Sequence, residues 1–474
     1  MSLTFEEIIF MKSLIVTMSL ILLSAARIFG QQPAGSWAGV LAAEGQSLNI
    51  VFHVAEKDGV YSAKMDSPDQ GVFGIDASEV SFENGMLMIK IAAARIEYLG
   101  KPMFDEMEGN FKQGPLNLPL TFKRMAEDSE NTRPQTPRPP FPYTIENVVF
   151  TNPSAKINLS GTLTVPAGKG KFPAVVLISG SGPQNRDEEI MGHKPFHVIA
   201  DYLSRNGIAV LRYDDRGVAQ SQGDFQLATS LDFASDAKSA VEFLKGRNDI
   251  DPTSIGLIGH SEGGMIAPMV AAESKDVSFI VLLAGTGIRG DELLLLQQEL
   301  ILGAAGVSKE EISSAGVTNK KAFEMVRNSK DDQKLKQDLT MLMRDACKDL
   351  TEAELPQGMS KEQYVDMQVQ QLTSAWMKYF LSYEPASSLK KVTCPVLALN
   401  GAMDLQVPAD INLEAIDAAL KKGGNSKVII KKYPSMNHLF QVCTTGAPSE
   451  YSEIRETISP TVLSDIQSWI MSDK

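Results

Sequence analysis

Ser261 sits between glycines, directly after a short apolar run: "GLIGHSEGGM", Gly256 to Met265. Within it Gly259, His260, Ser261, Glu262 and Gly263 form G-x-S-x-G. Between a strand and a helix this pattern is a nucleophile elbow. It holds a hydroxyl out at a sheet edge, and the glycines avoid clashes that side chains would make there. A serine hydroxyl attacks a carbonyl only when a base takes its proton. The histidines are His53, His193, His197, His260 and His438, and of these only His438, in "YPSMNHLF", follows the serine. An acid must orient that imidazole, and the order serine, acid, histidine places it between the two. The strand "PVLALNG" leads into "AMDLQVP", where Asp404 is the sole carboxylate before Pro408. Taken singly, His438 reads as a surface histidine and Asp404 as a turn residue. Together, each at the carboxyl end of a strand and in the required order, the three predict acyl transfer.

The oxyanion formed in such a reaction needs two donors. One is predicted to be the amide of Glu262. The other is expected in "SGPQNRD", after "AVVLISG", at the amide of Ser181, with Gly182 as the alternative. Arg186 and Asp187 in that loop are expected to form a structural ion pair. No cofactor motif and no metal-ligand spacing accompanies these residues. Cys347, Cys394 and Cys443 are too few and too far apart for a metal site, and buried free thiols are expected.

The elements around these residues alternate. "FPAVVLISG", "IAVLRYD", "SIGLIG", "VSFIVLLAG", "CPVLALNG" and "KVIIKKYP" are continuous apolar runs. Helical patterns separate them: "FHVIADYLSRNG", "DFASDAKSAVEFLKGRN", "GMIAPMVAAES" and "DINLEAIDAALKKG", with "SPTVLSDIQSWIM" at the end. Strands buried on both faces and alternating with helices predict an α/β fold with a mostly parallel sheet. The alternation stops over about 288–386, where a polar, helical pattern predicts a cap over the sheet's carboxyl edge. Six methionines fall between Met325 and Met377, and they are expected to fill the cap's core rather than bind substrate.

Upstream, residues 31–125 read as a small antiparallel β domain. "SLNIVFHV", "GVYSAKM", "GMLMIKIA" and "LTFKR" are its strand-like runs, separated by turn signals. Five prolines between Pro134 and Pro142 mark 126–143 as a linker. The hydrolytic residues all fall in 144–474. At the amino end Lys12 precedes the apolar run Ser13–Ala26, which predicts a signal peptide over 1–30, with an anchor helix as the alternative. Export to the periplasm or medium follows from the first reading, without stable membrane insertion. A net charge of −13 argues against nucleic acid or an anionic membrane as the main partner. At 43% hydrophobic and 22% charged, the chain has ample material for a large core.

From about Tyr143 to the end, the chain resembles the α/β-hydrolase superfamily. "ISGSGPQNRD", "YDDRGVAQSQG" and "GHSEGG" look like its carboxylesterase and cinnamoyl-esterase branch, which is related to capped serine aminopeptidases. The resemblance implies a triad at Ser261, Asp404 and His438 and a small-molecule ester substrate with a short or compact acyl group. It implies a serine aminopeptidase as the alternative. A peptidase of this kind needs an acid near the substrate amine, for which Glu352 and Glu354 in the cap are candidates. The usual D-x-R-G-x-G-x-S appears here with Ala219 in place of its second glycine. The opening "GSWAGVL" of the β domain resembles the Gly-x-Trp start of lipocalin-type barrels, over too few residues to imply a function.

Overall fold

The computed structural model describes residues 33–124 and 133–472, apart from 44–45, 58, 68–71, 84, 104–105, 115, 349, 352–354 and 356–358. The signal segment 1–30 and the cap acids Glu352 and Glu354 lie outside the described residues. The chain divides into two compact units between Thr132 and Arg133.

The first unit is an antiparallel sheet. Its strands are β1 (Gly35–Ala43), β2 (Gln46–Lys57), β3 (Val60–Ser67), β4 (Val72–Asp76), β5 (Glu79–Glu83), β6 (Met86–Ile91), β7 (Ile96–Met103), β8 (Glu106–Gln113) and β9 (Leu116–Arg124). Their order is β4-β3-β2-β1-β9-β8-β7-β6-β5. Alternate side chains fill one face: Trp37, Phe52, Tyr98, Phe111 and Phe122 are all buried. Trp37 donates its indole N–H to the Pro33 carbonyl at 2.9 Å, and the Arg124 guanidinium lies 4.1 Å from its ring centroid. The sequence reading finds β2, β3, β6 and β9. It misses β7 and β8, whose polar outer face ("EMEGNFKQ") dilutes the apolar signal.

The second unit carries a mixed sheet of β10 (Tyr143–Asn152), β11 (Ile157–Pro166), β12 (Phe172–Ile178), β13 (Ala209–Tyr213), β14 (Ile250–His260), β15 (Phe279–Leu283), β16 (Val396–Gly401) and β17 (Val428–Tyr433). Their order is β10-β11-β13-β12-β14-β15-β16-β17, parallel from β13 to β17. The antiparallel pair β10 and β11 extends one edge, and the sequence reading does not find it. In β12 the residues Ala174, Val176 and Ile178 face one core, while Val175 and Leu177 face the other. That two-sided burial is why the inner strands are unbroken apolar runs. Each such Val, Leu or Ile contributes about 1.5–3 kcal/mol on leaving water.

Helices cover both faces: α1 (Pro195–Arg205), α2 (Ser230–Lys245), α3 (Glu262–Glu273), α10 (Ala409–Lys422) and α11 (Pro460–Met471). Between β15 and β16 the chain forms α4 (Gly290–Ala304), α5 (Lys309–Asn328), α6 (Asp332–Ala346), α7 (Lys361–Leu372), α8 (Ala375–Ser382) and α9 (Pro385–Leu389). Leu389 of α9 packs into the sheet core, while helices α4 to α8 share a core of their own that also takes in Met265 of α3 and Val407 of the loop after β16. Met343 and Met377 are buried in it, Met325, Met359 and Met367 pack against it, and Met341 is 62% exposed. Methionine here is filler. The fold is that of an α/β-hydrolase.

Residues from Arg133 onward are seated on this unit. Arg133 is buried and donates to the carbonyls of Ile454, Met191 and Ser452 at 3.0, 2.8 and 2.9 Å. Gln135 donates to the Ile458 carbonyl at 2.8 Å and accepts from the Thr457 amide. Among the described residues no helix is long and apolar enough to cross a membrane. Cys347, Cys394 and Cys443 are free thiols, but only Cys347 is buried and the other two are half-buried; among the described residues no group of acids, histidines and cysteines is placed to hold a metal.

Candidate active site

β14 ends at His260 and α3 starts at Glu262, so Ser261 alone makes the turn. Its φ of 53° and ψ of −116° are strained for a non-glycine residue. The turn is tight. A Cβ on Gly259 would stand 2.0 Å from the Gly263 carbonyl oxygen, and one on Gly263 would stand 2.1 Å from that of Ile178. Only glycine fits at either place. The Ser261 amide donates to the Leu283 carbonyl at 2.8 Å, which fixes the elbow to β15.

Asp404 and His438 come from the loops after β16 and β17, and the fold brings them together. His438 Nδ1 lies 2.7 Å from Asp404 Oδ2, with both side chains almost fully buried. The other oxygen, Oδ1, accepts from the amides of Gln406 and Val407, each at 2.8 Å. The acid is therefore locked in orientation, and its free side can only accept. This sets the imidazole as the Nδ1–H tautomer, with the Nε2 lone pair open.

The loop after β12 meets the elbow. A Cβ on Gly180 would be 3.2 Å from Ser261 Cβ. Ser181 follows at once, and Gly182 has a φ of 94°. The amides of Ser181 and Glu262 donate to no described residue. The Glu262 side chain turns inward: it is buried and accepts from Ser230 Oγ at 2.6 Å and from Trp376 Nε1 of α8 at 2.8 Å. Burial pushes its carboxyl pKa up, against the two donors. Trp376 thus hydrogen-bonds the residue that follows the serine from within the cap.

Arg186 and Asp187 do not pair with each other. Arg186 forms a fork with Asp214 at 2.6 and 3.0 Å, and Asp187 pairs with Arg212. The two residues occupy the middle of a turn closed by the Glu188 amide on the Asn185 carbonyl, and β13 with the residue after it supplies both partners. Ala219, at the glycine position of the loop after β13, has a φ of 46°, the left-handed region glycine favours. Arg216 of the same loop grips buried Asp236 through two bonds, at 2.7 and 2.8 Å. Asp215 is buried, which pushes its pKa well up, although it accepts from the Gln184 amide at 3.0 Å.

Sequence reasoning misses Glu188. Its Oε1 accepts from the Gly180 amide at 2.6 Å and lies 3.0 Å from His260 Nδ1. His260 Nε2 in turn lies 3.1 Å from the His438 carbonyl oxygen. Burial opposes a charge on His260, but Glu188, the His438 carbonyl and Asp404 outweigh it and raise the pKa. The only signal in the sequence was acidity in "NRDEE", which does not separate a buried partner from a solvated run.

A second Ser–His–Asp chain lies in the β unit: Ser36 Oγ is 2.8 Å from His53 Nδ1, and His53 Nε2 is 2.9 Å from Asp66 Oδ2. The imidazole is 42% exposed and sits on β2, whose backbone is laddered to strands on both sides. Ser36, His53 and Asp66 all stand on paired strands, and the three form a hydrogen-bond ladder across neighbouring strands.

The chain is similar to several known proteins. Esterase EstD of Thermotoga maritima is 29% identical over 320 residues, covering 66% of this chain and 65% of that protein. The chain thus spans just under two thirds of that relative's length. An uncharacterised 31.7 kDa protein of Escherichia coli is 24% identical over 258 residues, covering 54% of this chain and 81% of its own. Among solved structures, the Pyrococcus furiosus esterase Pf2001 has 16% identity and a TM-score of 0.42, covering 69% of this chain and 92% of that one. The family model for X-Pro dipeptidyl-peptidase (S15 family) matches residues 156–432, which takes in the elbow and the Asp404 loop. That span is more than half of the chain, and the chain belongs to the S15 family.

Proposed function

We propose that the protein is a serine hydrolase that cleaves carboxylic esters through an acyl-enzyme. The observation that carries this reading is the Asp404–His438 pair at 2.7 Å, locked in one tautomer and positioned by the same sheet edge as the strained Ser261. Ser261 Oγ attacks the ester carbonyl while His438 Nε2 takes its proton. The tetrahedral oxyanion is held by the amides of Glu262 and Ser181, with Gly182 as the alternative donor. His438 returns the proton to the leaving alcohol. Water, deprotonated by the same imidazole, then releases the acid and restores Ser261. Asp404 orients the imidazole and stabilises its charge.

The name of the Thermotoga relative supports ester cleavage. The helical cap between β15 and β16 supports short or compact acyl groups. Export is supported by the apolar run Ser13–Ala26 behind Lys12. The family description favours a second reading, an aminopeptidase or dipeptidyl-peptidase on the same serine.

A panel of p-nitrophenyl esters and amino-acid p-nitroanilides separates the two. After normalising to uncatalysed hydrolysis, acetyl to butyryl esters are expected to exceed every anilide by at least about 100-fold in kcat/KM, about 2.7 kcal/mol of transition-state preference. A proline or alanine anilide that matched the best ester would install the peptidase reading. Ser261→Ala should lose about 10⁴-fold or more on the preferred substrate. Retention of a hundredth of the activity would sink the assignment of the nucleophile.

A further inference from the structure

We propose that Glu188 is a positioning residue for the reaction: one buried carboxylate ties the oxyanion loop to the elbow and, through His260, to the backbone of the catalytic histidine. The inference rests on the reading of Ser261 and His438 given above. Three separate segments meet here. Glu188 Oε1 takes the Gly180 amide at 2.6 Å, one residue before Ser181. The same oxygen faces His260 Nδ1 at 3.0 Å, one residue before Ser261. His260 Nε2 faces the His438 carbonyl oxygen at 3.1 Å.

The protonation pattern follows from the partners. A carbonyl oxygen can only accept, so His260 Nε2 carries a proton. Gly180 N–H and His260 Nδ1 converge on one oxygen, and that oxygen accepts from both only if Nδ1 also carries a proton. With Glu188 as the carboxylate the ring is an imidazolium, in line with the raised pKa of His260 beside it. It lies 4.7 Å, centroid to centroid, from the ring of His438, which must itself become cationic during turnover. The Glu188 carboxylate cancels the charge of the first ring, so the second can gain a proton beside a neutral pair. Phe196, Ile199, Leu283, Leu439, Phe440 and Ile458 line the small pocket of about 10 Å³ next to the pair and make its surroundings apolar. In such surroundings charge pairing is strong and misplacement is costly.

The chain accepts strain to place this carboxylate. Glu188 is 4% exposed and has a φ of 50°, a left-handed conformation unfavourable for glutamate. Residues held this way persist where their surroundings over-determine them.

A glutamine cannot replace the carboxylate. If its oxygen takes the Gly180 amide, His260 must present Nδ1–H to it. A neutral ring then turns its Nε2 lone pair against the His438 carbonyl. If its NH₂ faces His260 instead, the Gly180 amide loses its acceptor. Either way the oxyanion loop or the His438 loop moves.

The test is a double-mutant cycle on the full chain with p-nitrophenyl butyrate, using Glu188→Gln, His260→Phe and the pair, with Glu188→Asp and Ser261→Ala alongside. Glu188→Gln is expected to lower kcat by about 10- to 100-fold, the scale of a misplacement near 1 Å, with KM within about threefold. Glu188→Asp, which keeps the charge at shorter reach, should fall between it and the parent chain. The double variant should be no worse than Glu188→Gln alone, because without the imidazole the amide oxygen is free to serve Gly180. Thermal unfolding checks each variant, and should His260→Phe fail to fold, the Glu188→Asp and Glu188→Gln pair decides on kcat against KM. Ser261→Ala inactive with Glu188→Gln within twofold of the parent overturns this inference alone. So do losses that multiply in the double variant, or a loss confined to KM. An active Ser261→Ala overturns the underlying assignment instead.

Discussion

Replacing Asp404 by asparagine should nearly abolish turnover while leaving the fold in place. The carboxylate has two different sides. Oδ1 accepts from the amides of Gln406 and Val407 at 2.8 Å each, and Oδ2 receives His438 Nδ1–H at 2.7 Å. An asparagine must put its carbonyl oxygen on the first side, because two N–H groups point there. Its NH₂ then faces His438. A donor in that position selects the tautomer with a bare Nδ1 and a protonated Nε2, and that nitrogen can no longer take the serine proton. The hydrogen bonds remain, the volume is unchanged, and a buried charge is removed, so stability should hold within about 1–2 kcal/mol. The loss in kcat/KM should be about 10⁴-fold, or about 5.4 kcal/mol of transition-state stabilisation. Steady-state hydrolysis of a p-nitrophenyl ester measures it. Asp404→Ala in parallel separates tautomer from charge, since there Nδ1 has no enforced partner, so asparagine should be at least as damaging as alanine. If Asp404→Asn kept more than a hundredth of kcat/KM, the inference from the two amides to the tautomer would be wrong.

Three other outcomes follow from individual contacts. His193 is fully buried, with Nε2 2.8 Å from the Tyr451 carbonyl oxygen and Nδ1 2.9 Å from Thr457 Oγ1, and burial lowers its pKa to about 4. The unfolded chain binds that proton near the ordinary value of about 6.5, so its stability contribution is complete above pH 6.5 and falls by about 2 to 3 kcal/mol as the pH drops toward 4. Urea unfolding of the parent and His193→Gln at pH 7.5 and 4.5 checks this, and parallel pH dependences would contradict it. Trp376→Phe removes one of two donors to the buried Glu262 carboxylate. It should cost about 1–3 kcal/mol in unfolding free energy, and an unchanged stability would mean that the cap bond carries nothing. A chain starting at Arg133 should still hydrolyse a small ester, whereas one starting at Thr144 loses the Arg133 and Gln135 contacts and should be less stable by about 3 kcal/mol or more. Equal melting temperatures for the two would refute the role given to that stretch.

Much of this was legible in the residues. The unbroken apolar runs of β12 to β16 exist because both faces of each strand are buried, and that pattern survives in a single sequence. The elbow was legible because clashes at Gly259 and Gly263 leave no other residue type possible. The order serine, acid, histidine was legible because each residue follows its own strand, and parallel strands put all their carboxyl ends on one edge. β10, β7 and β8 were hidden, since a half-solvated strand mixes polar and apolar residues and resembles a loop, and β11, though mostly buried, was hidden because Ser160, Gly161, Thr162 and Thr164 break its apolar run. What only the tertiary structure decided is which charges meet. Arg186 and Asp187 are chain neighbours but take partners from β13 and its loop. Glu188 and His260 stand 72 positions apart and share a hydrogen bond. Trp376 reaches Glu262 across 114. Sequence periodicity records which side of an element faces the core. It holds no record of which polar group lies opposite, because that pairing is set by the packing of elements distant in the chain.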